Sequence, residues 1–263
     1  MNKKAIFLDI DNTLITGSYI PFKEDLDAMN EAAEKGHFLF LNSGRSFANI
    51  PSALLETPAI KGIAAGGGAH ILMAASPARA GKRFRTIYHK WIPEDALEMI
   101  FSIYGKQKLY CYLEGERDCY TINGYSLFEE VKAPIPVRSF DEFKIKSRGD
   151  FITKLTVGAN MPEEEGRLLE SYLKINRFPD YSEGIIIGEN KAKAMELILE
   201  NLKLRREDSI AIGDAINDLD MIRFAGLGIA MGNACPELRA AAGAVTGRCG
   251  KGGVAQALKK FVL

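Results

Sequence analysis

Two carboxylates one residue apart, Asp9 and Asp11, end the apolar stretch that opens the run AIFLDIDNTL at residues 5–14. Anions at the tip of a buried element repel one another and lose hydration, so a compensating group is needed. A strand running into an Asx-type turn is the simple alternative. Three further segments share this grammar of an apolar element beside small polar or charged residues: NSGRS at 42–46, Lys191 opening a helical pattern, and GDAINDLDM at 213–221. Where such tips converge, Asp9, Asp11, Asp214 and Asp218 meet Arg45 and Lys191. Four carboxylates against two cations leave an acidic excess that a divalent metal offsets. Oxygen ligands and a phosphate partner suit Mg2+ better than zinc.

The elements that position these residues read as two kinds. AIFL, HFLFLN, GIAA, SIAIG and GLGIAM are short, nearly unbroken apolar runs, the pattern of parallel strands covered on both faces. Helical patterns lie between them. FKEDLDAMNEAAEKG places Leu26, Met29 and Ala33 on one side, NKAKAMELILENLKL does the same with Met195, Ile198 and Leu202, and VAQALKKF follows near the end. This alternation predicts an α/β fold with a doubly wound, Rossmann-like parallel sheet, whose ligands sit at the carboxyl ends of the strands. The middle differs. RFRTIYHK, KLYCYLE and FITKLTVG alternate polar with apolar, which predicts an antiparallel sheet with one covered face. PEDALEMIFSIYG and PEEEGRLLESYLKI read as the helices that cover it. The expected organisation is a core of residues 1–83 and 186–263 with an α+β domain inserted at 84–185. Linkers are expected near Ala80–Arg83 and Ser182–Gly188.

Bulk properties narrow the function classes. In 263 residues, Lys plus Arg and Asp plus Glu balance at 34 each, so no global field draws the chain to nucleic acid or an anionic membrane. Cys111, Cys119, Cys235 and Cys249 form no metal-binding pairs and read as reduced thiols. Lys3 and Lys4 precede an apolar stretch, but Asp9 and Asp11 interrupt it too early for a signal peptide. No run of about 20 apolar residues occurs, and a cytoplasmic protein is expected. No G-x-x-x-x-G-K-[ST] is present, and the glycines at 66–68 do not extend to G-x-G-x-x-G. His37, His70 and His89 are scattered and read as core or surface residues.

In their order along the chain, DIDNT, SGR, the lysine at a helix start and GDAINDLDM resemble the four motifs of the haloacid dehalogenase-like superfamily. The downstream GIAMGNA, the spacing to AVTGRCGKGGVAQAL and the overall length are similar to its Cof-type phosphatases. The resemblance spans essentially the whole chain. It implies the larger type of cap, an α+β domain between the second and third motifs. It further implies a Mg2+-dependent phosphatase acting on a small phosphorylated metabolite, sugar phosphates first; a monomer or small homo-oligomer is expected. Asp9 is then the nucleophile and Asp11 the general acid and base. Ser43 and Lys191 hold phosphoryl oxygens, with Gly44, Arg45 and Asn217 as further phosphate-binding residues. Asp9, the backbone of Asp11 and Asp214 bind the metal, with Asp218 in the same group steering bound water or phosphate. Arg45 equally reads as a support for its loop, and Thr13 as a cap. Tyr112, Glu114, Arg117 and Trp91 are the inserted domain's candidates for leaving-group contacts, although nothing in the sequence orients them.

Three departures from the family pattern are visible. Asn12 stands where a glycine is common, and Asn tolerates unusual backbone angles. Ala192 replaces a glycine after the lysine, and GGGAH at 66–70 lacks an asparagine often found there. A phosphomutase with the same nucleophile, or a non-catalytic metabolite sensor, is an alternative on these residues.

Overall fold

The computed structural model describes residues 3–17, 19–75, 84–106, 109–124, 132–158 and 161–263. It divides into two compact units. The first comprises Met1–Gly44, Pro51–Tyr88 and Asn190–Leu263; the second comprises Arg45–Ile50 and His89–Glu189. The expected linker at Ala80–Arg83 lies outside the described residues.

In the first unit the strands are β1 (Ala5–Leu8), β2 (Phe38–Asn42), β3 (Ile60–Ala65), β4 (His70–Ala74) and β5 (Phe84–His89), the last reaching one residue into the second unit. The second unit carries β6 (Cys111–Gly115), β7 (Cys119–Ile122), β8 (Ile135–Pro136), β9 (Ile152–Val157), β10 (Leu173–Arg177) and β11 (Ser182–Ile186). The chain then returns to the first unit with β12 (Ser209–Gly213), β13 (Leu227–Ala230) and β14 (Ala244–Val245). The helices, in chain order, are α1 (Lys23–Glu34), α2 (Ser52–Leu55), α3 (Glu94–Tyr104), α4 (Phe140–Ser147), α5 (Glu163–Leu169), α6 (Lys191–Leu202), α7 (Leu219–Phe224), α8 (Pro236–Ala241) and α9 (Gly253–Phe261).

The first sheet has the order β14-β13-β12-β1-β2-β3-β4-β5. β1 lies at its centre, parallel to both β12 and β2, and its four residues are buried. That explains the unbroken apolar run AIFL: both faces are covered. On one face Ala5, Phe7, Phe40 and Ala211 pack with Met195 and Ile198 of α6, Met221 and Ile222 of α7, and Leu238 of α8. The fold class is therefore the expected one, a parallel-rich α/β core with a second sheet. β4 departs from it by running antiparallel to β3.

α1 presents a face one residue removed from the expected one. Asp25, Ala28, Met29 and Ala32 are buried, because α1 packs on α9 and Asp25 accepts a hydrogen bond from the Ala255 amide at 2.8 Å. The alternating strand β5 was expected in the inserted domain. It is instead the edge of the first sheet, with every residue half-buried or exposed.

The second unit holds a six-stranded sheet of order β10-β11-β9-β6-β7-β8. β6 runs antiparallel to β9 and β7, and β9 and β10 flank β11 the same way. α3 packs against both α4 and α5. Ser182–Ile186, expected within a linker, is a strand paired on both sides. The helix expected to continue to Ile175 stops at Leu169, because Leu173 to Arg177 pair with β11. Tertiary pairing overrides local helical periodicity at both places. Among the described residues, no helix is long and apolar enough to cross a membrane.

Candidate active site

The site forms where β1, β2, β12 and the start of α6 bring their carboxyl-end loops or first residue together. Asp9 still pairs with the sheet, its amide donating to Ile212 O at 3.0 Å. The chain then turns back, with the Leu14 and Ile15 amides both donating to Ile10 O and the Asn12 amide to Ile15 O. Asn12 sits in the left-handed region at φ 55°. Asparagine adopts that conformation at small cost, so the turn persists without the glycine common in the family.

Lys191 is the first residue of α6, and its Nζ lies 2.6 Å from Asp9 Oδ1 and 2.5 Å from Asp218 Oδ1. Lys191 is 3% exposed, Asp9 5%, Asp214 8% and Asp218 0%. An ammonium at a helix start opposes the helix dipole. Two carboxylates outweigh that cost, together with the Asn190 side chain, which caps the helix by accepting from the Lys193 amide at 2.8 Å. Asn42, at the end of β2, donates to Lys191 O at 3.0 Å, tying the SGR loop to the lysine.

The electrostatics follow from burial. Burial works to lower the Lys191 amine, but Asp218 and Asp9 overcome it and leave the amine raised. Burial lifts the Asp9 carboxyl well above its ordinary range, reinforced by Asp218 and Asp11 and opposed by Lys191. Burial likewise pushes Asp214 up to about 7, again aided by Asp218 and Asp11. One ammonium therefore serves a group of carboxylates that remains too negative, and the deficit calls for another cation.

Two observations bear on whether a metal fits. Carboxylate oxygens of Asp9, Asp214 and Asp218 lie within 4.8 Å of one another, and Asp214 Oδ1 is buried without a hydrogen-bond partner. A hard divalent cation suits such an oxygen set. Asp218 differs from the other two. Its Oδ2 accepts the Asp214 and Ala215 amides at 2.9 and 3.0 Å while Oδ1 holds Lys191.

The remaining expected residues fall in two places. Ser43 is buried, and its amide and carbonyl are held by Ala64 O and the Gly67 amide. Asn217 Nδ2 lies 3.7 Å from where a Cβ on Gly44 would stand, so these two residues are neighbours. Arg45 belongs to the second unit, where its Nη1 donates to Asn49 O at 3.1 Å. Among the four residues considered for the leaving group, Tyr112 and Glu114 are buried. Arg117 donates to Ser147 O and Arg148 O. Trp91 is exposed and packs against Phe151.

The triplet Gly66–Gly68 has a structural role that the sequence left unread. All three glycines have positive φ, and a Cβ on Gly68 would stand 2.5 Å from Asn190 O. Only glycine fits there, and this close approach seats the start of α6 beside the loop that holds Ser43. Three successive glycines were the available signal. Asn233, in the GNA triplet, is a second residue whose contacts the spacing did not disclose.

A family model for haloacid dehalogenase-like hydrolases matches residues 6–258. The chain belongs to that family. It is a hydrolase, a phosphatase of the haloacid dehalogenase type. YkrA of Bacillus subtilis is 27% identical over 269 residues, covering 100% of this chain and 99% of its own. YcsE of the same organism, a 5-amino-6-(5-phospho-D-ribitylamino)uracil phosphatase, is 26% identical with 99% and 96% covered. Among solved structures, the HAD subclass IIB sugar phosphatase BT4131 superposes with a TM-score of 0.79 at 25% identity, covering 98% of this chain and 99% of its own.

Proposed function

We propose that the chain is a Mg2+-dependent phosphomonoester hydrolase that acts on small phosphorylated metabolites, sugar phosphates foremost, through a phosphoryl group carried on Asp9. The observation that carries this reading is the buried Lys191 ammonium shared between Asp9 and Asp218. It holds Asp9 Oδ1 and leaves Oδ2 as the attacking oxygen. Lys191 also screens that carboxylate from an anionic substrate.

In the first half-reaction an Asp9 oxygen bonds to phosphorus as the bond from phosphorus to the leaving oxygen breaks. Asp11 supplies the proton that this oxygen takes up. In the second, a water oxygen bonds to phosphorus while Asp11 accepts its proton. The bond to Asp9 breaks, and inorganic phosphate leaves. Ser43, Gly44 and Asn217 bind the non-bridging oxygens. Asp9, the Asp11 carbonyl and Asp214 are the residues that would hold Mg2+, which when bound offsets the carboxylate excess and polarises the phosphoryl group. Asp218 serves by orienting Lys191 and the Asp214 backbone. Arg45 supports its loop. Two of the named relatives, one a sugar phosphatase and the other a phosphatase of a phosphoribitylamino compound, support small polyhydroxy phosphates as the class.

The test is phosphate release from a panel of sugar, nucleotide and cofactor phosphates, with and without Mg2+, beside Asp9→Asn. Metal-dependent turnover that falls by roughly 10³-fold or more in the variant is expected. Turnover indifferent to the substitution would remove Asp9 as nucleophile, and turnover indifferent to chelation would remove the metal.

A further inference from the structure

The loop after β13 carries an asparagine that touches three chain segments at once. Two backbone bonds stitch this loop to the one bearing Asp214: the Met231 amide donates to Gly213 O and the Cys235 amide to Asp214 O, both at 2.9 Å. Between them stands Asn233. Its Oδ1 accepts from the Cys249 amide at 2.8 Å. A carboxamide has one acceptor and one donor end, so this bond settles its orientation and turns Nδ2 toward the site. There Nδ2 donates to Asn12 O at 2.9 Å and lies 3.4 Å from Asp214 Oδ2.

These contacts select among the oxygens that could serve a cation. Asp214 Oδ2 is turned to the amide, while Oδ1 remains buried and unpartnered. The same amide holds the carbonyl of Asn12, the left-handed residue directly after Asp11. One neutral side chain thus joins the turn after β1 to the loop after β12, and it adds no charge to a group already too negative. We infer that Asn233 is a positioning residue for the divalent cation: it fixes Asp214 and the Asp11–Asn12 turn in a single arrangement, with Asp214 Oδ1 free to bind. Residues that orient metal ligands in this way typically change affinity by roughly 10–100-fold when removed.

The inference rests on the Mg2+ reading above, and the experiment separates the two. Mg2+ binding without substrate is measured by titration calorimetry on the wild type and on Asn233→Ala, alongside turnover against Mg2+ concentration and thermal unfolding in EDTA. The variant is expected to bind Mg2+ roughly 10–100-fold more weakly and to need correspondingly more for half-maximal turnover. Its kcat at saturating Mg2+ should be retained, and its metal-free Tm should fall by no more than the few degrees that loss of these hydrogen bonds costs. A merely structural role would do the reverse, lowering Tm and kcat with the Mg2+ Kd unchanged, and that result overturns the inference. Absence of Mg2+ binding by the wild type would instead sink the metal reading itself. Asn233→Ser, whose hydroxyl cannot span the same acceptors, gives the same readouts where alanine loosens the loops.

Discussion

At the scale of single residues, the site is an imbalance of charge held in place. Lys191 is buried against two carboxylates, and removing one partner from such a group leaves the other charges buried and unpaired. Lys191→Met is expected to lower stability in EDTA by about 3–5 kcal/mol and to cut turnover by roughly 10²–10³-fold. Urea denaturation and steady-state rates measure the two effects separately. A variant with full turnover would place Lys191 outside the chemistry. The charged members of this group were legible in the sequence because each follows or opens an element whose apolar run announces where its tip lies. What each one does was less legible. Asp214 and Asp218 have the same charge and stand four residues apart, yet only Asp214 keeps a buried oxygen without a partner. That difference arises from hydrogen bonds at the Asp214 and Ala215 amides, which no spacing encodes. Asn233 escaped notice for the same reason: a neutral amide has no charge to advertise it.

At the scale of elements, the unbroken apolar strands were easy to read, since burial on both faces writes itself as continuous hydrophobicity. Boundaries set by tertiary pairing were not. The strand β10 overlaps the end of a helical pattern, and β11 lies inside an expected linker; pairing within the sheet, of β10 with β11 and of β11 with β9, makes each a strand. Asp25 shows how such pairing acts between helices. It is a buried carboxylate on α1 that accepts the Ala255 amide in the first turn of α9, while its second oxygen has no partner. Burial raises its carboxyl above the ordinary range, and the bond from Ala255 opposes the rise only in part. The native state therefore holds this proton more tightly than the unfolded chain does. The stability Asp25 contributes is greatest in acid, below the ordinary carboxylate value, and declines as pH rises toward the raised native one. Asp25→Asn keeps an acceptor for Ala255 without the buried charge. It is expected to unfold about 2–4 °C above the wild type at pH 7, the shift that ~1 kcal/mol makes in a chain of this size. The gap should close as pH falls through the carboxylate range. A gap that stays constant from pH 7 to pH 3 would mean that Asp25 does not titrate on unfolding.

At the scale of the whole molecule, neither unit is a continuous piece of chain. The second unit recruits Arg45–Ile50 from a position directly after the Ser43–Gly44 loop, and sequence composition offers no hint of this exchange. Its basis is a polar cluster on β6. Glu114 is 2% exposed. Its Oε2 accepts from Asn49 Nδ2 at 3.3 Å and faces the Ser46 amide at 3.5 Å. Its Oε1 accepts from Thr156 and pairs with Lys154, which is itself bound to Glu183 at 2.6 Å. Ala48 packs beside it on Tyr110, Tyr112 and Cys119. A carboxylate can accept from both sides of this arrangement, whereas an amide cannot. In Glu114→Gln the new NH2 must face either the Ser46 amide or the Lys154 ammonium, both of which can only donate. The Lys154 side retains Glu183, so the amide oxygen settles on Lys154 and the segment 45–50 loses its acceptor. Loss of a hydrogen bond to a charged group weakens a contact by about 1.5–3 kcal/mol. Backbone amides at 46–50 should then exchange with solvent roughly tenfold faster or more, since each 1.4 kcal/mol is a factor of ten. Native-state hydrogen exchange on the full chain reads this directly. Unchanged exchange would show that the segment's other contacts, among them Ala48 on the Tyr110–Tyr112 cluster and Asn49 on the Tyr112 hydroxyl, suffice to hold it in the second unit.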